Sequence, residues 1–522
     1  MAGGVTGGAD LNKGKGSILR RLSYRTLLPV LLMLGILFVR IAFVVIESTA
    51  ACSPLECIRF SFFGRGDAVL LRDELRRAIS EASDVEDGMV GVTDPFDGSM
   101  LPSFKDFVKD ATSMEDLKTF AFKTKVMMLK LEHSVKSAKK RESIFWHLAS
   151  HGIPKSLNCL CLKLAEEYAV NAMARSPLPK PQSAYRLTSP YFHHVILLTD
   201  NVLAASVVVT STIESSSHPE KLVFHVVTDK KTYSSMHAWF ALNSLITSSS
   251  AIVEVKGLHQ YDWSRELDVS VKEMLDIHRL IWKQYNFNNI QQQQQDDHHV
   301  LSPAYLSLLN HLRIYIPEMF PELDRVLFLD DDVVVQHDLS SLFEMDLNGK
   351  VIGAVFDSPG CSTNGGRHEC CPGRMYKNYF NFSQTVISSK FAQDDACGWL
   401  YGTNIFDLQA WRKTNVTRAY HQWLKLNVKS GLALWEAGTL APAMLAFEGY
   451  VHPIESSWHV AGLGSRFLPE ELLVINLEKV AVLHYSGPAK PWLEVGVPEL
   501  RTIWWRYVNV TNEYIRNCRI NY

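Results

Sequence analysis

HHVILLTDNVLAASVVVTSTIESSSHPEKLVFHVVTD, residues 193–229, sets two apolar runs, HHVILLTD and KLVFHVVTD, on either side of a longer segment rich in Val and Ala. The runs have strand length and the segment between them is long enough for a crossover helix, so the stretch reads strand, helix, strand. A third run, AIVEVKG at 251–257, follows TYSSMHAWFALNSL and continues the alternation. Strands apolar on both faces belong to a parallel sheet covered by helices, which gives an α/β class. In such sheets ligands bind beyond the carboxyl ends of strands, where Asp200 and Asp229 stand.

Further on, FLDDDVVVQ at 328–336 places three carboxylates inside what otherwise reads as a buried strand. On a strand Asp330 and Asp332 share one side and Asp331 points away. Carboxylates that close disfavour one another's ionisation, and a divalent cation removes the conflict and can clamp a diphosphate. A solvated turn and a calcium site are the competing readings of the triplet taken alone. Upstream, SLLNHLRIYIPEMFP puts Arg313 on an apolar helix, where it can pair with a carboxylate or reach a phosphate. Downstream, AVLHYSGPAKPW at 481–492 ends an apolar strand in His484, followed by Gly487 and Lys490. An imidazole beside two carboxylates suits Mn²⁺ better than Mg²⁺, Gly487 permits close backbone approach, and Lys490 supplies a charge for phosphate.

The 522 residues are 47% hydrophobic and 11% aromatic, enough for one large core plus accessory segments. A formal net charge of -2 gives no global attraction for nucleic acid, so none is expected as a partner. TLLPVLLMLGILFVRIAFVVI, Thr26 to Ile46, carries one charge, Arg40, and is long enough to cross a bilayer. Lys13, Lys15, Arg20, Arg21 and Arg25 before it keep residues 1–25 in the cytosol and send the rest to the lumen, a single-pass type II topology; a cleaved signal peptide is the alternative. Beyond the span lie three sequons, at Asn381, Asn415 and Asn509, open to lumenal glycosylation. The nine cysteines suit an oxidising compartment, with Cys52/Cys57 as a close pair and Cys361, Cys370, Cys371 and Cys397 clustered. Zinc at that cluster is disfavoured because no CxxC accompanies it. Residues 47–185 read as a lumenal stem containing an amphipathic helix from Ser113 to about 140, a second helix from Cys161 to Arg175 and the linker SPLPKPQ at 176–182. Residues 186–522 read as the main α/β domain, interrupted by the low-complexity IQQQQQDDHHV at 290–300.

LLTDN at 197–201, the Arg313 helix, FLDDDVVVQ and HYSGPAKPW occur in the order seen in family-8 retaining glycosyltransferases, which this chain resembles over about residues 190–520. Longer phrases, among them FHVVTDKKTY, EVKGLHQYDW, SLLNHLRIYIPE and GLGSR, are similar to the plant galacturonosyltransferase branch that builds pectin. The resemblance implies a GT-A nucleotide-sugar domain with a Rossmann-like mixed sheet, a Golgi enzyme moving galacturonate from UDP-galacturonate to an acidic pectic acceptor, and possible homo- or hetero-oligomers with related transferases. It assigns Thr199, Asp200 and Asn201 to the uridine side, Asp330, Asp332 and His484 to Mn²⁺, Gly487 and Lys490 to the diphosphate, and Asp331 to the sugar or ribose. Asp331, Lys490 and Arg313 are then the catalytic set. The sequence departs from its relatives at LWEAGTLAPAM, 434–444, which lacks the Asp-Gln-Asp run of many family-8 enzymes, at GWLYGTN, 398–404, and in the loop CSTNGGRHECC. With no evident nucleophile, same-face substitution is the default. A transferase for another UDP-sugar and a weakly active partner subunit are the alternative functions. An acidic substrate needs basic side chains, because an unpaired buried carboxylate is costly; Arg412, Lys413, Arg418 and above all Arg466, on the GLGSR loop, are the candidates.

Overall fold

The computed structural model describes part of 125–150 and then residues 153–243, 250–262, 269–280, 308–356 and, isolated positions aside, 371–521. Two compact units divide at Val135 and Lys136. In the first, the described residues are helical, as expected for the helix beginning at Ser113; the second holds both sheets. The expected span at 26–46, the Cys52/Cys57 pair and the insertion at 290–300 lie outside the described residues. Among the described residues no helix is long and apolar enough to cross a membrane.

The strands expected around residues 193–257 form as β1 (His193–Leu198), β2 (Leu222–Thr228) and β3 (Ile252–Gly257), all parallel. Between them run α2 (Val202–Ser215) and α3 (Tyr233–Leu242), preceded by α1 (Lys155–Val170). Then come β4 (Arg325–Leu329), β5 (Val333–Val335), β6 (Ile352–Val355), β7 (Thr403–Asp407), β8 (Val451–Ile454), β9 (His459–Val460) and β10 (Val482–His484). The larger sheet has the order β3-β2-β1-β4-β7-β6-β8 and the smaller β5-β10-β9. The sheet is mixed, as the resemblance implies: the first three strands run parallel, and β7 inserts antiparallel between β4 and β6. Alternation along each strand feeds two cores. Val195, Leu197, Leu327 and Leu329 face one, with α1, α2 and α3, while Ile196, Leu198, Val326 and Phe328 face the other.

Strand order reverses direction beside β1, since β2 and β3 lie on one flank and β4 on the other. That switch point lies past the carboxyl ends of β1 and β4, the place where sheets of this kind bind ligands. It positions the aspartates, whose setting differs from the expected strand. Asp330–Asp332 form a turn, not strand interior, through which the chain passes from β4 in the large sheet to β5 in the small one.

Two further differences concern the segment expected in the stem. The helix at 161–175 starts earlier, at Lys155, and ends at Val170, with a separate 3-10 turn at Met173–Arg175. Its buried Leu157, Leu160 and Leu164 join the core with α2 and α3, and a disulfide links Cys159 to Cys518. The helix is thus built into the same unit as the sheets. Helical periodicity identified it, but periodicity does not reveal which body a helix packs on.

Candidate active site

Local backbone bonds fix the aspartate turn from both sides. The Asp330 N–H donates to Gly402 O at 2.8 Å, and the Asp332 carbonyl accepts from Tyr485 N–H at 2.8 Å. Pairing of β10 with β5 brings His484 opposite Val333, next to Asp332. One ligand atom from each of Asp330, Asp332 and His484 lies within 4.8 Å of the others. His484 Nε2 stands 3.0 Å from Asp332 Oδ1 and 3.7 Å from Asp330 Oδ2. Two carboxylate oxygens and one imidazole nitrogen are a donor set for a divalent cation of the manganese type.

Protein cations offset part of the charge that the sequence leaves unexplained. Arg313, buried, donates from Nη2 to Asp330 Oδ1 at 2.9 Å. Its guanidinium carbon lies 4.5 Å from the Phe328 ring centre and 4.1 Å from that of Tyr401, held between two aromatic faces. Lys490 Nζ donates to Asp332 Oδ2 and also to Tyr485 O at 3.3 Å. Burial raises the Asp332 pKa, but His484 and Lys490 outweigh it and hold the carboxyl well below its usual range. Burial keeps Asp330 above its usual range despite Arg313. Asp331 is pushed up to about 7 by burial and then by Asp332, although it accepts a hydrogen bond from Thr199 Oγ1 at 2.6 Å.

On the β1 side, Thr199 is buried and spends its hydroxyl on Asp331, while the Asn201 N–H donates to Thr199 Oγ1 at 2.9 Å. The Asn201 side chain caps α2 by accepting from Ala204 N–H. Asp200 is exposed at the strand end. Gly487, at φ +122, is needed for packing: an added Cβ would meet Gly464 O at 2.3 Å, so the HYSGPAK loop and the GLGS loop touch through their backbones.

The structure corrects the assignment of Arg412 to the carboxylates of an acidic substrate. Its Nη2 donates to the carbonyls of Phe320 and Leu323, both at 2.8 Å, so it closes the end of the Arg313 segment. Arg466 is also engaged. Its guanidinium bonds Glu142 and lies 5.2 Å from Trp146 and 5.1 Å from Phe467 ring centres, binding the helical segment before α1 to the GLGSR loop. Lys413 and Arg418 are exposed, and Asn381, Asn415 and Asn509 are exposed as well.

Sequence reasoning missed two residues. Gly402, at φ +150, faces the ligands so closely that a Cβ would stand 2.3 Å from His484 Cε1 and 2.7 Å from Asp330 Oδ2. His459 is buried behind His484, ring centres 5.2 Å apart and nearly parallel, with Nε2 3.0 Å from His484 Nδ1. In the sequence Gly402 lies in GWLYGTN and His459 precedes GLGSR, and neither phrase marks its residue as part of a site. Of the clustered cysteines, Cys371 and Cys397 form a disulfide.

Residues 159–496 match the Glycosyl transferase family 8 pattern. The chain belongs to glycosyltransferase family 8. It is 45% identical over 521 residues to "Probable galacturonosyltransferase 14" of Arabidopsis thaliana, covering 96% of this chain and 94% of that one. "Probable galacturonosyltransferase 13" of the same plant is 45% identical over 520 residues, again 96% and 94%. "Probable galacturonosyltransferase 12" is 41% identical over 428 residues, 80% of this chain and 78% of its own length. The metal-type cluster at the switch point and the family-8 α/β domain therefore describe a glycosyltransferase of the branch to which these relatives belong.

Proposed function

We propose that this family-8 glycosyltransferase moves galacturonate, with retention, from UDP-galacturonate to a homogalacturonan-type pectic chain, using Mn²⁺, in the Golgi lumen. The observation that carries the reading is the convergence of Asp330, Asp332 and His484 at the switch point; the galacturonosyltransferase names of the relatives support the donor sugar. A bound Mn²⁺ would be held by these three side chains and would neutralise charge on the departing diphosphate. Lys490, already at Asp332, adds the second positive charge at the leaving group. Arg313 orients Asp330 from a position shielded by two rings. Thr199 holds Asp331 beside the ligands, where a protonated carboxyl donates, and an ionised one accepts, a hydrogen bond with a sugar hydroxyl. With no carboxylate pair in 434–444, the acceptor attacks the face that UDP leaves, its proton passing to a UDP oxygen.

The topology belongs to the same proposal: an uncleaved anchor at 26–46, the catalytic unit lumenal, and glycans on the exposed Asn381, Asn415 and Asn509. The deciding experiment expresses the full chain in a secretory host and offers a panel of UDP-sugars with an oligogalacturonide and Mn²⁺. Extension with UDP-galacturonate, abolished by chelator, is expected. Extension by another sugar alone would reassign the donor, and failure to bind UDP would leave a partner subunit. Retention in carbonate-washed membranes and a mobility shift on deglycosylation test the topology.

A further inference from the structure

Behind the metal-type cluster, the paired imidazoles of His459 and His484 have a chemical asymmetry. For His484 to present the Nε2 lone pair to a cation, its ring proton must sit on Nδ1. Nδ1 faces His459 Nε2 at 3.0 Å, so His459 must be the acceptor there and must carry its own proton on Nδ1. That Nδ1 is the one buried atom of the pair without a hydrogen-bond partner. A buried polar atom left unsatisfied works against stability, and His459 Nδ1 is in that position while its Nε2 meets the ligand ring. The parallel stacking, at 16° between ring planes, fixes the rotation of His484 as well as its proton.

We infer that His459 is a positioning residue of the metal site, selecting the Nδ1-protonated tautomer of His484 and holding its Nε2 toward Asp330 and Asp332. Partners of this kind behind a metal-bound histidine are a general device for setting ligand orientation. The inference rests on the metal reading of the site and adds a residue that does not touch the metal.

The test measures Mn²⁺ affinity of the full chain, by titration followed by electron paramagnetic resonance, in wild type and three variants. His459→Phe keeps an apolar ring of similar shape but no acceptor. In His459→Asn the amide reaches only the place of Nδ1, whereas in His459→Gln it reaches the place of Nε2. His459→Phe and His459→Asn should bind Mn²⁺ about 10- to 100-fold more weakly, and His459→Gln should recover affinity to within about threefold of wild type. Thermal midpoints without metal should not follow this order. Wild-type affinity in His459→Asn, or a His459→Gln no better than His459→Asn, would overturn the inference while leaving the metal site standing. Absence of Mn²⁺ binding in wild type would overturn the metal reading and this inference with it.

Discussion

Replacing Gly402 by alanine adds one methyl group where the ligands leave no room. The new carbon would lie 2.3 Å from His484 Cε1, and ordinary contact begins near 3.4 Å, so the imidazole must retreat by 1.1 Å or the strand entry must move. Asp330 Oδ2, at 2.7 Å, must give way too. The turn itself resists, because Gly402 O holds the Asp330 N–H and a side chain at φ +150 is strained. Overpacking of this kind costs about 1–3 kcal/mol of stability. A misplacement near 1 Å costs about 10²-fold in rate, so catalysis should suffer far more than folding. Gly402→Ala should therefore stay folded, with a modestly lowered thermal midpoint, while kcat/KM and Mn²⁺ affinity fall together. The assays are UDP release kinetics, manganese titration and differential scanning calorimetry on one preparation. A Gly402→Ala protein that binds Mn²⁺ and turns over like wild type would refute the argument that this glycine shapes the site.

Lys490→Ala should lower kcat by about 10²- to 10³-fold, as for loss of one preorganised group stabilising charge; unchanged steady-state kinetics would remove Lys490 from the leaving-group side. Asp331, raised by burial and by Asp332 to about 7, favours the protonated folded state. The stability it lends is full below the ordinary aspartate value of 3.8 and lost as pH rises through about 7. In chelator, Asp331→Asn should thus gain stability relative to wild type across that window, and urea midpoints running parallel for the two proteins would contradict this. Cys159→Ser removes a crosslink spanning 359 positions and should cost about 2–5 kcal/mol in denaturant unfolding under oxidising conditions; an unchanged free energy would show that α1 is held by packing alone.

The first three strands and the ligand triad were legible because each leaves a one-dimensional trace. HHVILL and LVFHVVT are continuous apolar runs, and Asp330, Asp332 and His484 are rare residue types at the ends of such runs. The turn at 330–332 was not, since a strand that continues and one that changes sheets have the same apolar flanks. The antiparallel insertion of β7 was also invisible, because strand direction depends on long-range pairing. Gly402 and His459 went unassigned for a related reason. A glycine or a histidine becomes part of a site only through its neighbour in space, here His484, which lies far along the chain. Arg466 shows the opposite failure: its loop does touch the active-site loop through Gly464, yet its charge is matched by Glu142, which no local pattern announces.

The bond between Cys159 and Cys518 makes a covalent ring of everything between them, and every residue of the triad lies inside it. A protease that cuts once within that ring does not release a fragment. A nick between Asp332 and His484 would separate the two carboxylates from the imidazole in sequence while leaving all three tethered to one body. Such a molecule would migrate as intact on a non-reducing gel and fall into two pieces on reduction, and its halves would remain near one another at the concentration set by a tether rather than by dilution.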